Sequence, residues 1–174
     1  MGGMTKECFI LTTGGTIDKV YFDAKSSYAV GDPQIEEVLR LAQVNLPYRV
    51  HSLMRKDSLE ISDEDRKIIR EAIESVDNQM VLVTHGTDTM AETGRFLKGI
   101  PSKTIVLTGS LQPARFRDND AIFNIGFALA AVQALPAGVY VAMNGQFYDP
   151  DLVRKDRKNN CFVALDSPAG QPGD

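Results

Sequence analysis

Two short segments hold the residues that can do chemistry. Thr12-Thr13-Gly14-Gly15-Thr16-Ile17-Asp18 and Thr84-His85-Gly86-Thr87-Asp88-Thr89-Met90 each concentrate hydroxyls, glycine and a carboxylate. A threonine hydroxyl is a weak nucleophile that needs a nearby base, and a desolvated lysine can serve. Backbone N–H groups at Gly15, Thr16 and Thr87 can stabilise the oxyanion formed when a hydroxyl attacks a carbonyl carbon. Taken singly, each segment has a plainer explanation. A Gly-Gly turn after a strand also cradles phosphate, and Thr87-Asp88 before a helical pattern is first of all a cap. Neither segment matches the GxGxxG or GxxxxGK[ST] loops of nucleotide sites.

The elements that must position these segments alternate along the chain. Strand-length apolar runs occur at 8–12, 49–53, 80–84, 104–107 and 139–143. Several are near-continuous in Val, Ile and Leu, as in parallel strands buried on both faces. Four helical patterns lie between them. The first, 33–42, opens with Asp32 as N-cap and Pro33 at the first helical position. The second, 63–75, follows Ser62 as N-cap and repeats Ile68, Ile69, Ala72, Ile73 and Val76 at helical spacing. The third, 88–98, ends before Gly99 and Pro101, and the fourth, 120–135, is the most apolar. This alternation predicts a three-layer, doubly wound, mostly parallel α/β sheet of the flavodoxin or Rossmann-like type. It forms a single domain over 1–165, with 161–165 as a short extra strand and 166–174 as a flexible tail. Ligands of such sheets sit at the carboxyl ends of the strands where the strand order reverses. With the order 2-1-3-4-5, the two hydroxyl-rich segments flank one crevice.

Composition removes several function classes. The chain has 174 residues, a net charge of −4 and an isoelectric point near 5.2. With no basic block, neither nucleic acid nor an anionic membrane is the expected partner. No apolar run approaches the roughly 20 residues of a membrane span. The N-terminus lacks the pattern of a secretory signal, so the expected compartment is the cytoplasm. Two cysteines without CxxC, and two histidines without HExxH, argue against a disulfide framework and a metal site. Cys8 is expected to be a small core residue, and His85 a supporting histidine rather than a base.

Residues 13–17 read TGGTI and residues 85–89 read HGTDT. With these two signatures in order, the chain resembles the L-asparaginase/glutaminase family. The resemblance continues through Glu92-Thr93, the strand at 105–108, Gly109-Ser110, Asp120-Ala121, Asn124 and Val153-Arg154-Lys155. It runs from about residue 9 to 168 and corresponds to the family's N-terminal catalytic domain alone, as in its short single-domain members. It implies a cofactor-free amidohydrolase that converts L-asparagine to L-aspartate and ammonia, with weaker action on glutamine. Thr16 would be the nucleophile. Tyr28 would lie on a loop that closes over the substrate. Thr87 would activate water or attack in its own right, paired with Lys155 and Asp88. Within the charge run Arg154-Lys155-Asp156-Arg157-Lys158, Lys158 is the alternative lysine. Asp88 would bind the substrate α-ammonium, Ser58 its α-carboxylate, and Gly15 and Thr87 would also contact it. A homo-oligomer, dimer or tetramer, is implied as well.

The chain departs from the family pattern in three places. The resemblance stops short of the C-terminal domain that completes the usual site, Leu59 stands where many members have a polar residue, and Leu111-Gln112-Pro113 replaces a common Met-Arg-Pro. An acidic side chain from a symmetry-related copy, Glu60, Asp118 or Asp149, is therefore expected. Three other functions remain open: an amidohydrolase or amidotransferase-type enzyme for another amide, a flavodoxin-like phosphate-binding module, and a catalytically degenerate binding module.

Overall fold

The computed structural model describes residues 6–22 and 27–165. Its regular elements, in chain order, are β1 (Cys8–Gly14), β2 (Lys19–Phe22), β3 (Ser27–Val30), α1 (Ile35–Leu41), β4 (Tyr48–Lys56), α2 (Asp63–Glu74), β5 (Met80–Thr84), α3 (Met90–Leu97), β6 (Thr104–Thr108), α4 (Ala121–Ala134), β7 (Gly138–Met143), β8 (Gln146–Tyr148), β9 (Val153–Asp156) and β10 (Cys161–Ala164). The main sheet has the order β4-β1-β5-β6-β7-β8. Its first five strands are parallel, and β8 folds back antiparallel on β7. In terms of the five expected strands this is the order 2-1-3-4-5, and it reverses between β1 and β5.

Side-chain alternation divides the core into two layers. Phe9, Leu11, Val81, Val83, Ile105 and Leu107 meet Ile69, Ile73, Met90 and Leu97 of α2 and α3. On the other face Ile10, Leu82, Val106 and Ala142 meet Ile35 and Leu39 of α1 and Ile125, Ala128 and Val132 of α4. Cys8 belongs to this second layer and is fully buried, and burial pushes its thiol up to about 12. Each such large side chain contributes about 1.5–3 kcal/mol of burial.

Helix α2 starts as its sequence dictates. The Ser62 hydroxyl accepts from Asp65 N, and the Asp65 carboxylate accepts from Ser62 N. Helix α1 does not. It begins at Ile35 after Gln34, and Asp32 instead pairs with Arg55 at 2.8 Å. The Gln34 N–H donates 2.9 Å to Asp18 Oδ1, a carboxylate 16 positions earlier. A partner that distant in sequence displaces the local cap. The polar stretch after β7 is also more ordered than its composition suggests, because β8 pairs with β7 and β9 with β10 in an antiparallel hairpin.

Asp18 is 2% exposed, and burial raises its carboxyl from 3.8 to about 7 despite the Gln34 bond and the Arg55 charge. Its folded-state value lies above the unfolded one, so the folded chain holds the extra proton between those limits. Stability is then lost as pH rises from about 4 to about 7. Asp18→Asn keeps an acceptor for Gln34 and removes the titration. Denaturant unfolding of variant and parent at pH 4 and pH 8 should show the variant gaining about 4 kcal/mol relative to the parent at the higher pH.

Candidate active site

Three chain segments stack at the carboxyl end of the sheet because glycine removes side chains between them. Gly15 has φ 92°, and a Cβ there would lie 2.5 Å from both N and Cα of Gly86. A Cβ on Gly86 would in turn lie 2.5 Å from Ser58 Cβ. Thr16 and Thr87, each the residue after one of these glycines, thus sit on abutting loops. Hydrogen bonds fix the stack. The buried Thr13 hydroxyl donates to Thr84 O at 2.9 Å, and Gly15 N donates to Lys56 O at 2.9 Å. Asp88 N donates to Ser58 Oγ at 3.2 Å, and Thr89 Oγ1 donates to Ser58 O at 2.7 Å.

Lys155 reaches this point from the β9–β10 hairpin. Its Nζ donates to Thr87 Oγ1 at 2.8 Å and to Asp88 Oδ1 at 3.0 Å, with only 15% of the side chain exposed. Lys158 does not come to the site. It is exposed in the hairpin turn, where its N–H donates to Asp156 Oδ1. Arg157, missed in the sequence, stands 3.6 Å from Asp88 Oδ1 with a largely exposed side chain. Asp88, Lys155 and Arg157 line part of a cleft of about 360 Å³.

The remaining expected residues fall as follows. Thr16 is half-buried in a single 3-10 turn, Thr16–Asp18, between β1 and β2. Ser58 is buried in a second such turn, Ser58–Glu60. Tyr28 belongs to β3, and its side chain lies outside the described residues. The Gly15 N–H is not available as an oxyanion donor, because the β4 carbonyl of Lys56 takes it. Two of the three acids expected to serve a neighbouring copy are engaged within their own chain. Glu60 Oε2 accepts from Asp57 N, and Asp149 pairs with Lys98 at 2.7 Å. Asp118 is exposed.

His85 is fully buried. Arg66 Nε donates to the Thr93 hydroxyl at 3.2 Å, so that hydroxyl gives its own proton to His85 Nε2 at 2.8 Å. This leaves Nδ1–H to donate to Gly86 O at 2.7 Å. Burial, aided by the Arg66 charge, pushes the imidazole down to about 4 against the Gly86 bond. It is a neutral brace for the Gly86 loop. Another pair that sequence reasoning missed is Lys19–Asp57 at 3.0 Å, which joins positions far apart in the chain. Among the described residues no group of His, Cys, Asp and Glu could hold a metal ion, and no helix is long and apolar enough to cross a membrane.

The family model of the asparaginase N-terminal domain matches residues 7–172. The chain belongs to the asparaginase family. A glutaminase-asparaginase of Pseudomonas fluorescens is 31% identical over 92% of this chain and 49% of its own length. The L-asparaginase structure from Thermococcus kodakarensis superposes with a TM-score of 0.79 at 29% identity, covering 93% of this chain and 52% of that one. A component of the glutamyl-tRNA(Gln) amidotransferase of Aeropyrum pernix is 30% identical over 81% of this chain and 35% of its own length. This asparaginase-family chain thus spans about half the length of the first two relatives.

Two measurements probe the loop stack directly. The His85 imidazole should stay predominantly neutral between pH 5 and pH 8 in an NMR titration, given its value of about 4. Gly86→Ala should cost about 1–3 kcal/mol in denaturant unfolding, because the added methyl has no room against Ser58.

Proposed function

We propose that this chain is an L-asparaginase-type amidohydrolase that hydrolyses L-asparagine to L-aspartate and ammonia through a threonine nucleophile, with weaker action on glutamine. The observation that carries this reading is the bidentate reach of Lys155 to Thr87 Oγ1 and Asp88 Oδ1, on a loop in van der Waals contact with the one bearing Thr16. Thr16 Oγ attacks the side-chain amide carbon, the hydroxyl proton passes to the departing nitrogen, and ammonia leaves an acyl-enzyme ester. Thr87, held by the Lys155 ammonium, orients the water that adds to the ester carbonyl; the water's proton returns to Thr16 Oγ as the ester bond breaks and L-aspartate leaves. The N–H groups of Thr16 and Thr87 stabilise the oxyanion, each at about 3 kcal/mol of transition-state energy. Asp88 binds the α-ammonium, Ser58 the α-carboxylate, and Tyr28 closes over the substrate. No cofactor enters this chemistry.

A second reading keeps the machinery for a different amide, as in an amidotransferase. It is favoured by Leu59, an apolar side chain 68% exposed beside Ser58, and by the amidotransferase relative. A substrate panel separates the two. The cytoplasm is the proposed compartment, since Cys8 and Cys161 are free thiols, as a reducing environment keeps them. Self-association as a dimer or tetramer is also proposed. Its support is the exposed Ile122, Phe123 and Phe147 around α4, a helix without a charged residue.

Ammonia release from asparagine and glutamine, measured side by side on the full chain, tests the proposal. Thr16→Ala, Thr87→Val and Lys155→Met should each lower kcat by about 10³-fold or more with little change in stability. Asp88→Asn should act mainly by raising KM. Turnover by Thr16→Ala at the parental rate would overturn the assigned nucleophile.

A further inference from the structure

Two short turns carry Thr16 and Ser58 at the carboxyl end of the sheet. The Thr16–Asp18 turn is closed by Asp18 N donating to Gly15 O, and Lys19 N donates to Thr16 O at its end. The Ser58–Glu60 turn is closed by a reciprocal cap, in which Asp57 Oδ1 accepts from Leu59 N and Glu60 Oε2 accepts from Asp57 N. Lys19 therefore moves with Thr16, and Asp57 moves with Ser58. The side chains of these two flanking residues meet at 3.0 Å, Nζ to Oδ2, with 26% and 35% of their surfaces exposed. Partial burial disfavours the Asp57 charge, yet the Lys19 bond, the Leu59 N–H and the Lys19 and Lys155 charges together hold its carboxyl below the usual range. Asp57 thus stays ionised at neutral pH and lies within the field of the Lys155 ammonium.

The Ser58 turn is already bonded to the Thr87 loop through Asp88 N and Thr89 Oγ1. The Thr16 turn has no such tie to that loop among the described residues. It is held from behind, by Asp18 to Gln34 and by Ala114 N donating to Ile17 O, and at its base by Gly15 N donating to Lys56 O. On the crevice side, its side-chain link is Lys19 to Asp57.

We propose that Lys19 and Asp57 are positioning residues whose ion pair clasps the Thr16 turn to the Ser58 turn and so sets the distance between nucleophile and bound substrate. The proposal rests on the amidohydrolase reading for its kinetic consequence, and on the two turns alone for its mechanical one. A partly exposed pair contributes little to global stability, at most about a few degrees of melting temperature. Its effect on rate is larger, because displacing a reacting group by about 1 Å can cost on the order of 100-fold.

Lys19→Gln, Asp57→Asn and the double variant test this. Asparagine in place of Asp57 still caps the turn, so only the charge is lost. Each single variant should lower kcat for asparagine by about tenfold or more. The double variant should fall no further than the worse single, and Lys19→Arg should retain most of the parental rate. Amide hydrogen exchange without substrate supplies a readout independent of turnover. Lys19→Gln should speed exchange at 57–60, and Asp57→Asn should speed it at 16–19. Losses that multiply in the double variant, or exchange changes confined to the substituted turn, would overturn the clasp. A parental chain that releases no ammonia, yet shows the reciprocal exchange, would remove the amidohydrolase reading and leave the clasp standing.

Discussion

Backbone-to-backbone contact between Gly15 and Gly86 is the constraint on which the rest of the site depends. Any Cβ at either position would overlap main-chain or Ser58 atoms, so the three loops can stack only where side chains are missing. The positive φ of Gly14 and Gly15, 101° and 92°, turns the first loop sharply out of β1 and against the end of β4. Glycine is the residue that adopts this conformation without steric penalty. The doubly wound sheet supplies the other half of the constraint. Its order reverses between β1 and β5, so the loops leaving these adjacent strands have no helix between them at the carboxyl edge.

Around that contact the polar groups divide into buried braces and partly buried side chains. Thr13, His85 and Thr93 are buried, and their bonds go to main chain, to one another or to Arg66. Asp120 behaves similarly at the neighbouring strand end. Its carboxylate accepts from Leu111 N, Gln112 N and the Asn124 amide, which itself donates to Gly109 O. These groups fix loops. Thr16, Asp88 and Lys155 are only partly buried, and they come from three different segments.

Strand positions and the start of α2 were legible because local signals decide them: continuous Val, Ile and Leu runs, and a serine three residues before an acid. The cap of α1 was not. Asp32-Pro33 is a good local signal, but the buried carboxylate of Asp18 reaches Gln34 from across the loop, and sequence carries no sign of that approach. Strand alternation resolves the choice between Lys155 and Lys158. Val153 begins β9 facing the core, Lys155 shares its face two residues on, and Lys158 falls in the turn beyond Asp156. The expectation for the Gly15 N–H fails for the same reason as that for Asp32, since its acceptor, Lys56 O, lies about 40 positions away. Long-range pairs such as Lys19–Asp57 become visible only in three dimensions.

The position of Lys155 late in the chain has a consequence for biosynthesis. Thr87 and its lysine partner are separated by 68 residues, and the whole parallel sheet through β7 precedes the hairpin that delivers the lysine. As the chain leaves the ribosome, the sheet and its helical crossovers can collapse from contacts between consecutive elements. The loops bearing Thr16 and Thr87 can then be in place before Lys155 has been translated. A nascent chain can therefore hold a folded sheet in which Thr87 still waits for its ammonium partner.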